Sequence, residues 1–470
     1  MITLDELNKR TTMRIDTRRT VLQTFAVALL AISTIAPALC AEPVDIGNRL
    51  ELFVDDHVIG KVSGDVQRTL LRPEPKEVVF VTDEPWEGNT SGYYSYFQSD
   101  GLYRMIYRGW QHDVSKKAAH KEVTCYAESK DGVHWTKPKL GLFAWNGSKE
   151  NNIVWLGPGT HNFTAFYDTN PSTPPESRYK AFGGGRGGLL PFESPDCKNW
   201  KLIQKKPVIT NGAFDSQNLA FWDADRGEYR AYWRYFGNGV RSIRTATSKD
   251  FIHWENEADL SYAEGTPTEH LYTNAIQKYF RAPHLFIGFP TRFEAKSQQV
   301  EPILMTSRDG RKFHRYGNAV VPRGAPKDRN HNRSNYMAWG MFQLPGKPNE
   351  ISVYATENYY EPTPGRVRRF VYRVDGFTTL RGGGAGGQMT TRSLNYTGKR
   401  LLLNYVVKSG GTLTVEALNK AGDVIGKSKP LSGDAVDSPV IWQQDPGFSR
   451  GVVQLRFTLK NADVYSLRFN

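Results

Sequence analysis

Hydrophobic and aromatic residues recur along this chain in five short segments. The segments share tyrosines, phenylalanines and branched aliphatic residues in runs of five or six, which is typical of β-strands with at least one buried face. They cover residues 102–107, 178–182, 228–233, 284–289 and 350–355. Because similar strands return at comparable intervals, the pattern predicts one structural module used five times.

A polar turn pattern runs in register with these strands. The pattern Ser-x-Asp-x-x-x-aromatic begins at Ser129, Ser194, Ser248 and Ser307, at intervals of 65, 54 and 59 residues. Serine and aspartate bond the backbone of a turn, and the aromatic side chain packs between neighbouring modules. Modules of this length fit four-stranded propeller blades with long loops better than the closer strand spacing of a β-sandwich, which is the alternative.

The two series predict an all-β fold: a five-bladed β-propeller over residues 42–375, followed by a C-terminal β-sandwich over 376–470. Residues 49–54 are predicted to complete the last blade. The glycine-rich run 381–388 is interpreted as a linker or broad turn, because no strand-to-helix context of a phosphate loop accompanies it. The sandwich is indicated by long alternating strands at 400–407, 412–418, 452–459 and 462–469.

The first 41 residues have the pattern of an export signal. Arg18 and Arg19 precede an apolar stretch at 25–35 and a small-residue end, which favours the twin-arginine route and a periplasmic or extracellular protein. The stretch is too short to span a bilayer, so no stable membrane insertion is expected. A lipoprotein at Cys40 is the alternative. The mature chain keeps only Cys125 and Cys197, whose spacing does not imply a disulfide.

The charge of the chain favours anionic partners. The formal net charge is +13, of which residues 1–41 contribute two charges, leaving +11 on the mature chain. The basic residues are scattered and the protein is exported, so nucleic acid is not an expected partner. A carbohydrate with acidic or sulfated groups fits better, although solubility alone would explain the charge equally well. We expect a monomer without a cofactor.

Polar residues cluster just ahead of the predicted strands, where propeller blades converge on the axis. Such a density of polar groups would be costly in a packed core, so it predicts a site at the mouth of the pore. The candidate binding residues are His161, Asn162, His270, Asn274, Arg281, Arg333 and Asn335. His161, His270 and His331 would also suit a metal, but no close histidine or cysteine spacing supports one, and substrate hydrogen bonding is preferred.

Two carboxylates stand out among these polar residues. Asp215 and Glu269 come from consecutive modules and are flanked by apolar residues that indicate buried strands. Glycosidic cleavage requires a pair of carboxyl groups, one that protonates the leaving oxygen and one that attacks or activates water. Carboxylates that merely tie down strand ends through arginine or backbone bonds would give the same pattern.

The five modules, the Ser-x-Asp-Gly-x-x-Trp turns, the axial acids and the appended sandwich together resemble the five-bladed propeller glycoside hydrolases of families 32, 43, 62 and 68. Residues 52–59, 281–286 and 463–469 are similar to a bacterial secreted branch of that group. The resemblance implies a glycoside hydrolase that acts on a poly- or oligosaccharide. The resemblance supports the fold more strongly than the activity, because one fold can carry several functions.

The chain departs from that pattern in its acids. The resembling enzymes carry acids on the first three blades, whereas the clear pair here falls on the third and fourth modules. Glu87 is therefore a third catalytic candidate, and Asp55 and Asp56 are weaker ones that equally suit a turn. Arg104 and Arg230, like Arg108 and Arg234, occupy matching places and would pair with acids or grip a charged sugar.

Two other functional classes remain open. One is a sugar-binding propeller that has lost catalysis, which hydrolysis of a glycan panel would separate from an enzyme. The other is an extracellular scaffold for a protein partner, for which the pore axis would be lined by apolar side chains.

Overall fold

The computed structural model describes residues 42–113, 115, 117–185, 187–322 and 336–470. The described chain is almost entirely β-structure, with a single 3-10 turn at Pro175–Ser177. The export signal predicted at residues 1–41 lies outside the described residues and stays a prediction. No helix in these ranges is long and apolar enough to cross a membrane.

The predicted five-bladed propeller is confirmed. Five antiparallel sheets follow one another along the chain, and in each of the first four the chain begins at the innermost strand. The first four aromatic segments form the second strand of their blades, and the fifth forms the first strand of its three-stranded sheet; their apolar side chains are buried. Blade 1 comprises Gly92–Ser99, Leu102–Gly109, Val123–Ser129 and Trp135–Thr136, with Ile153–Trp155 added, and blade 2 comprises His161–Tyr167, Tyr179–Gly185, Gly188–Ser194 and Lys201–Leu202. Blade 3 comprises Leu219–Asp223, Glu228–Gly237, Val240–Ser248 and Trp254–Asp259. Blade 4 comprises Gln277–Tyr279, Ala282–Gly288, Gln299–Ser307 and Lys312–Ala319, and the short strands Ser261–Tyr262 and Thr291–Glu294 also pair with it.

The Ser-x-Asp turns behave as predicted. In the first of these turns, Ser129 ends the third strand of blade 1. The carboxylate of Asp131 accepts hydrogen bonds from the backbone amides of Val133 and His134 at 2.9 and 2.8 Å. The other three repeats make the same bonds. The closing aromatic contacts the neighbouring blade, as Trp254 does with Phe182 at 5.5 Å between ring centroids. The motif thus sets both the turn and the spacing of blades.

The fifth blade is completed by an N-terminal strand, but not by the predicted one. Glu74–Val81 pairs with Arg366–Arg373, which pairs with Glu350–Glu357. The prediction of 49–54 was wrong, because Glu51–Leu52 pairs with the last strand of the chain instead. The closing strand Glu74–Val81 contains Pro75, which is tolerated here because the strand is at the edge of the sheet. A proline argues against a strand in the sequence, so this strand was not predicted.

The strands outside the propeller form one large curled sheet, consistent with the predicted C-terminal β-sandwich. Two of its strands are very long, namely Leu401–Leu418 and Arg450–Phe469. Each of them was predicted as two separate strands, and each is one strand interrupted by a bulge. Its core contains Leu413, Phe457 and Leu467. N-terminal strands also belong to it, and the full set is Val44–Gly47, Glu51–Leu52, Ile59–Leu70, Thr378–Thr391, Leu394–Thr397, Leu401–Leu418, Val424–Ser428, Gly433–Pro439, Trp442–Gln444 and Arg450–Phe469.

The glycine-rich run 381–388 lies inside the strand Thr378–Thr391, so its interpretation as a linker or broad turn was wrong. A Cβ on Gly382 would lie 2.5 Å from Leu459, and one on Gly387 would lie 2.3 Å from the carbonyl oxygen of Ser63. Glycine is needed here because two neighbouring strands approach the run closely while it bends through a bulge.

Candidate active site

The site is built from residues at the edges of blades 1, 2 and 3. His161 begins the innermost strand of blade 2, and Asp215 lies in the loop that leads into the innermost strand of blade 3. Glu122 immediately precedes the third strand of blade 1. The chain therefore brings three titratable side chains to one place from three blades.

These three side chains form a chain of hydrogen bonds. His161 Nδ1 lies 2.9 Å from both carboxylate oxygens of Glu122, and His161 Nε2 lies 3.2 Å from Oδ1 of Asp215. One imidazole ring thus joins two carboxylates on opposite sides. The Asp215 side chain is 64% exposed, whereas that of Glu122 is 15% exposed, so the cluster extends from the protein interior to solvent.

The contacts fix the protonation of the cluster at neutral pH. The hydrogen bond from His161, together with its charge, lowers the pKa of Asp215 to about 2 against the opposing effect of burial. Burial opposes charge on His161, but the hydrogen bonds to Asp215 and Glu122 outweigh it and raise the imidazole pKa to about 9. At pH 7 His161 is therefore charged and Asp215 is ionised.

Arg108 lies next to this cluster, with its Nη1 3.4 Å from Oε1 of Glu122. Its guanidinium donates to Oδ1 of Asn162 at 2.9 Å, to the hydroxyl of Tyr359 at 2.7 Å and to the carbonyl oxygen of Thr90 at 2.8 Å. It also lies 4.9 Å from the ring of Trp110. The predicted binding residue Asn162 is thus fully buried and holds Arg108 rather than facing the open cleft.

An open cleft of about 1220 Å³ lies over the cluster. Its lining includes the apolar side chains of Trp145, Leu156 and Phe214 and several glycines of blade 2. A Cβ on Gly184 would lie 2.9 Å from the carbonyl oxygen of His161, so the glycine lets two strands approach closely beside the imidazole. The volume exceeds the usual range for small-ligand pockets, roughly 300 to 1,000 Å³, and suits an extended ligand.

Glu87, the third catalytic candidate, is placed away from this cleft. Its carboxylate accepts hydrogen bonds from the hydroxyl of Tyr107 and, at 2.6 Å, from Lys137 Nζ. Burial raises its pKa, against the opposing charge of Lys137. The structure does not bring Glu87 into contact with Asp215, and these bonds indicate a structural role. Its catalytic assignment stays a prediction.

Glu269 and His270 lie at the side of blade 4. Glu269 forms ion pairs with Arg292 and Arg315, each at 3.1 Å. The Nδ1 atom of His270 accepts a hydrogen bond from the backbone amide of Arg241 at 3.1 Å. Within the described part of the chain, no hydrogen bond or ion pair joins Glu269 to Asp215. The predicted catalytic pair is therefore not seen as a pair.

The remaining predicted residues are distributed over several environments. Asn274 is buried and donates to the carbonyl oxygen of Gln217 at 3.1 Å. Arg281 forms ion pairs with Asp375 at 3.0 Å and Asp437 at 2.9 Å, which tie the propeller to the large sheet rather than bind a ligand. Three residues named from the sequence lie outside the described residues, namely His331, Arg333 and Asn335.

Sequence reasoning missed Glu122. The predicted site residues precede the second strands of their modules, whereas Glu122 directly precedes a third strand, which begins at Val123. The available indication was an acid directly before a strand of buried residues, at the same blade end as His161. Among the described residues no group of three or more histidine, cysteine or acidic side chains is arranged to hold a metal ion, and Cys125 and Cys197 are buried and unpaired.

Solved structures that are similar to this chain include glycoside hydrolases. A family 43 arabinoxylan arabinofuranohydrolase from Bacillus subtilis is 13% identical, with a TM-score of 0.42, 85% of this chain covered and 99% of that chain. The catalytic domain of the family 62 α-L-arabinofuranosidase of Coprinopsis cinerea is 9% identical, with a TM-score of 0.42, 64% of this chain covered and 97% of that chain.

An N-acetylgalactosamine deacetylase from F. plautii is 12% identical, with a TM-score of 0.42, 83% of this chain covered and 95% of that chain. No protein-family model and no curated protein matches the chain. Likeness at this identity and TM-score carries no argument about activity, so the function must be argued from the site.

Proposed function

We propose that this protein is an exported glycoside hydrolase that cleaves a poly- or oligosaccharide in the cleft over Asp215, His161 and Glu122. The observation that carries the proposal is the imidazole of His161 held between two carboxylates at 2.9 and 3.2 Å. Hydrolysis of a glycosidic bond needs one ionised carboxylate and one acidic proton at the same site. This cluster holds both at neutral pH.

The roles follow from the protonation of the cluster. Asp215 is ionised and exposed, so it is placed to accept a proton from the attacking water. The proton on Nε2 of the charged His161 passes to the leaving oxygen, and the proton that Asp215 has taken from the water then passes back to Nε2 across the 3.2 Å contact.

The experiment is hydrolysis of a panel of aryl glycosides and plant and algal glycans by the wild type and by Asp215→Asn. We expect release of reducing sugar by the wild type, and a loss of at least about 100-fold in the variant, the effect of removing a positioned base. The matched control is Asp113→Asn, because Asp113 is an exposed acid that bonds only its own loop.

A sugar-binding propeller without catalysis is the second candidate. The observation that favours it is that Glu87 and Glu269, two of the three acids expected from the sequence, are already neutralised by Lys137, Arg292 and Arg315. Binding of a glycan that the wild type does not cleave would establish this candidate and overturn the hydrolase.

A further inference from the structure

A second cluster of charge lies beside the cleft, on the long hairpin of blade 3. The hairpin consists of Glu228–Gly237 and Val240–Ser248. Arg234 and Phe236 stand two residues apart and share one face, because side chains alternate along a strand. Phe236 is directly opposite Arg241 in the register of the hairpin. Three side chains therefore meet on one surface near the tip.

Both guanidinium groups face the same two aromatic rings. The guanidinium carbon of Arg234 lies 5.5 Å from the ring of Phe236 and 4.9 Å from that of Tyr272. That of Arg241 lies 5.7 and 5.1 Å from the same rings, and 4.6 Å from Phe293. Two like charges thus share the same two aromatic rings, and an anion that contacts both would lower their mutual repulsion.

Neither guanidinium forms a close ion pair with a carboxylate among the described residues, although the charge of Arg234 contributes to the lowered pKa of Asp215. The side chain of Arg234, only 5% of whose residue surface is exposed, donates from Nε to the carbonyl oxygen of Ala213 at 3.1 Å and makes no other hydrogen bond. Arg241 has a buried Nε without a partner and a weak contact with His270 at 3.5 Å. By contrast, Arg244 on the same hairpin is paired with Asp259 at 2.6 Å.

The cluster adjoins the proposed active site. Ala213, whose carbonyl oxygen accepts from Arg234, is two residues from Asp215, and its amide donates to the backbone of Arg234 at 2.7 Å. Ser216 Oγ donates to the carbonyl oxygen of Tyr272 at 2.5 Å. Phe236 is 60% exposed, so an aromatic face stands free beside the two cations. A sugar that reaches Asp215 can therefore extend over this surface.

We propose that Arg234 and Arg241 bind an anionic group of the substrate, the carboxylate of a uronic acid or the sulfate ester of a sugar, while Phe236 stacks on the sugar ring. This inference rests on the proposed function, whose substrate it makes an acidic glycan. Guanidinium groups bind carboxylate and sulfate oxygens through paired charge-assisted hydrogen bonds. An exposed aromatic ring supplies the apolar contact that a sugar ring needs.

The test uses monosaccharides, because they bind without being hydrolysed. Galacturonate, glucuronate and galactose 6-sulfate are compared with galactose and glucose by calorimetry or ligand-observed magnetic resonance. We expect an acidic sugar to bind wild type roughly tenfold to a hundredfold more tightly than its neutral counterpart, the range for a hydrogen bond to a charged group. The preferred acid shows whether carboxylate or sulfate is the natural group.

The variants Arg234→Gln and Arg241→Gln should each reduce this preference to less than threefold without weakening the neutral sugars. The matched control Arg244→Gln, from the same hairpin, should keep it. If Arg234→Gln does not fold, Phe236→Ala at the exposed tip of the hairpin tests the stacking part of the proposal. It should weaken the binding of acidic and neutral sugars equally.

Two results overturn the inference: no preference for any acidic sugar in wild type, or a preference that survives the double substitution. If either result is obtained and Asp215-dependent cleavage of a neutral glycan is also observed, the anionic subsite is ruled out and the proposed hydrolase activity is retained. If acidic sugars bind in a way that depends on the two arginines but no glycan is cleaved, the proposed hydrolase activity is ruled out and the anionic subsite is retained.

Discussion

Asp215 of blade 3 has an environment opposite to those of Glu87 in blade 1 and Glu269 in blade 4, although the sequence places all three at corresponding points of the repeat. Asp215 is mostly exposed, bonded to an imidazole and open to the cleft. Glu87 and Glu269 are held by lysine or arginine. A repeat therefore fixes where a carboxylate stands, while its partners decide whether it is available for chemistry.

The largest effect should come from the buried pair of Glu87. Glu87→Gln leaves Lys137 without its buried counter-charge, so we expect a loss of about 3 kcal/mol in the free energy of unfolding. Asp83→Asn is the matched control: Asp83 contacts the same lysine at 2.9 Å but is exposed, and its loss should cost less than about 1 kcal/mol. Urea unfolding measures both. Equal losses would show that Glu87 is not the structural partner of Lys137.

The second effect separates Asp215 from Glu269 in catalysis. Asp215→Asn should reduce kcat/KM by at least about 100-fold, because it removes a positioned proton acceptor. Glu269→Gln should leave kcat/KM within about twofold, since Arg292 and Arg315 already occupy its oxygens. Initial rates on one cleaved glycan measure the difference. A large loss in Glu269→Gln would restore the pairing predicted from the sequence.

The third effect concerns Glu122 and pH. His161 must be protonated, and its pKa is raised to about 9, so activity should persist at neutral pH and fall as the pH rises through about 9. Glu122→Gln removes one of the two partners that raise this pKa, so the alkaline fall should move to lower pH, with about a tenfold loss at pH 8. A pH–rate profile of both proteins checks this. An unmoved alkaline limb would exclude Glu122 from the cluster.

The smallest effect is the stability change in Glu269→Gln. The Glu269 side chain is 24% exposed, whereas those of Arg292 and Arg315 are 15% and 3% exposed, so solvent screens the pairs only in part and we expect a loss of about 1 to 2 kcal/mol. The loss should shrink slightly in 0.5 M salt, because salt reaches the partly exposed carboxylate. Thermal unfolding at two salt concentrations measures it. A salt-independent loss above this value would place Glu269 in a buried network like that of Glu87.

Much of the propeller could be predicted because its strands and turns are local patterns. The aromatic strands and the Ser-x-Asp turns repeat in register, and each turn is made by side chains within six residues of one another. The closing strand and the glycine-rich strand were not predictable in this way. Pro75 and the run 381–388 look like breaks, and only pairing with distant segments makes them strands.

The site could be predicted only in part. Asp215 and His161 were both named from the sequence, because each lies at the start of a blade, and the structure places them 3.2 Å apart. Glu122 was missed and Glu269 was chosen as the partner, because the choice depends on where Arg292 and Arg315 lie in space. Those arginines are 23 and 46 residues away from Glu269 in sequence, beyond the range of local patterns.

The most direct test of the central claim is the titration of the His161 imidazole, followed by magnetic resonance of histidine labelled with nitrogen-15. If a charged ring joins Glu122 and Asp215, its pKa is about 9 in wild type and falls toward the ordinary value of roughly 6.5 in both Asp215→Asn and Glu122→Gln. A wild-type pKa near 6.5 that neither substitution changes would contradict the shared-proton cluster and the hydrolytic mechanism built on it.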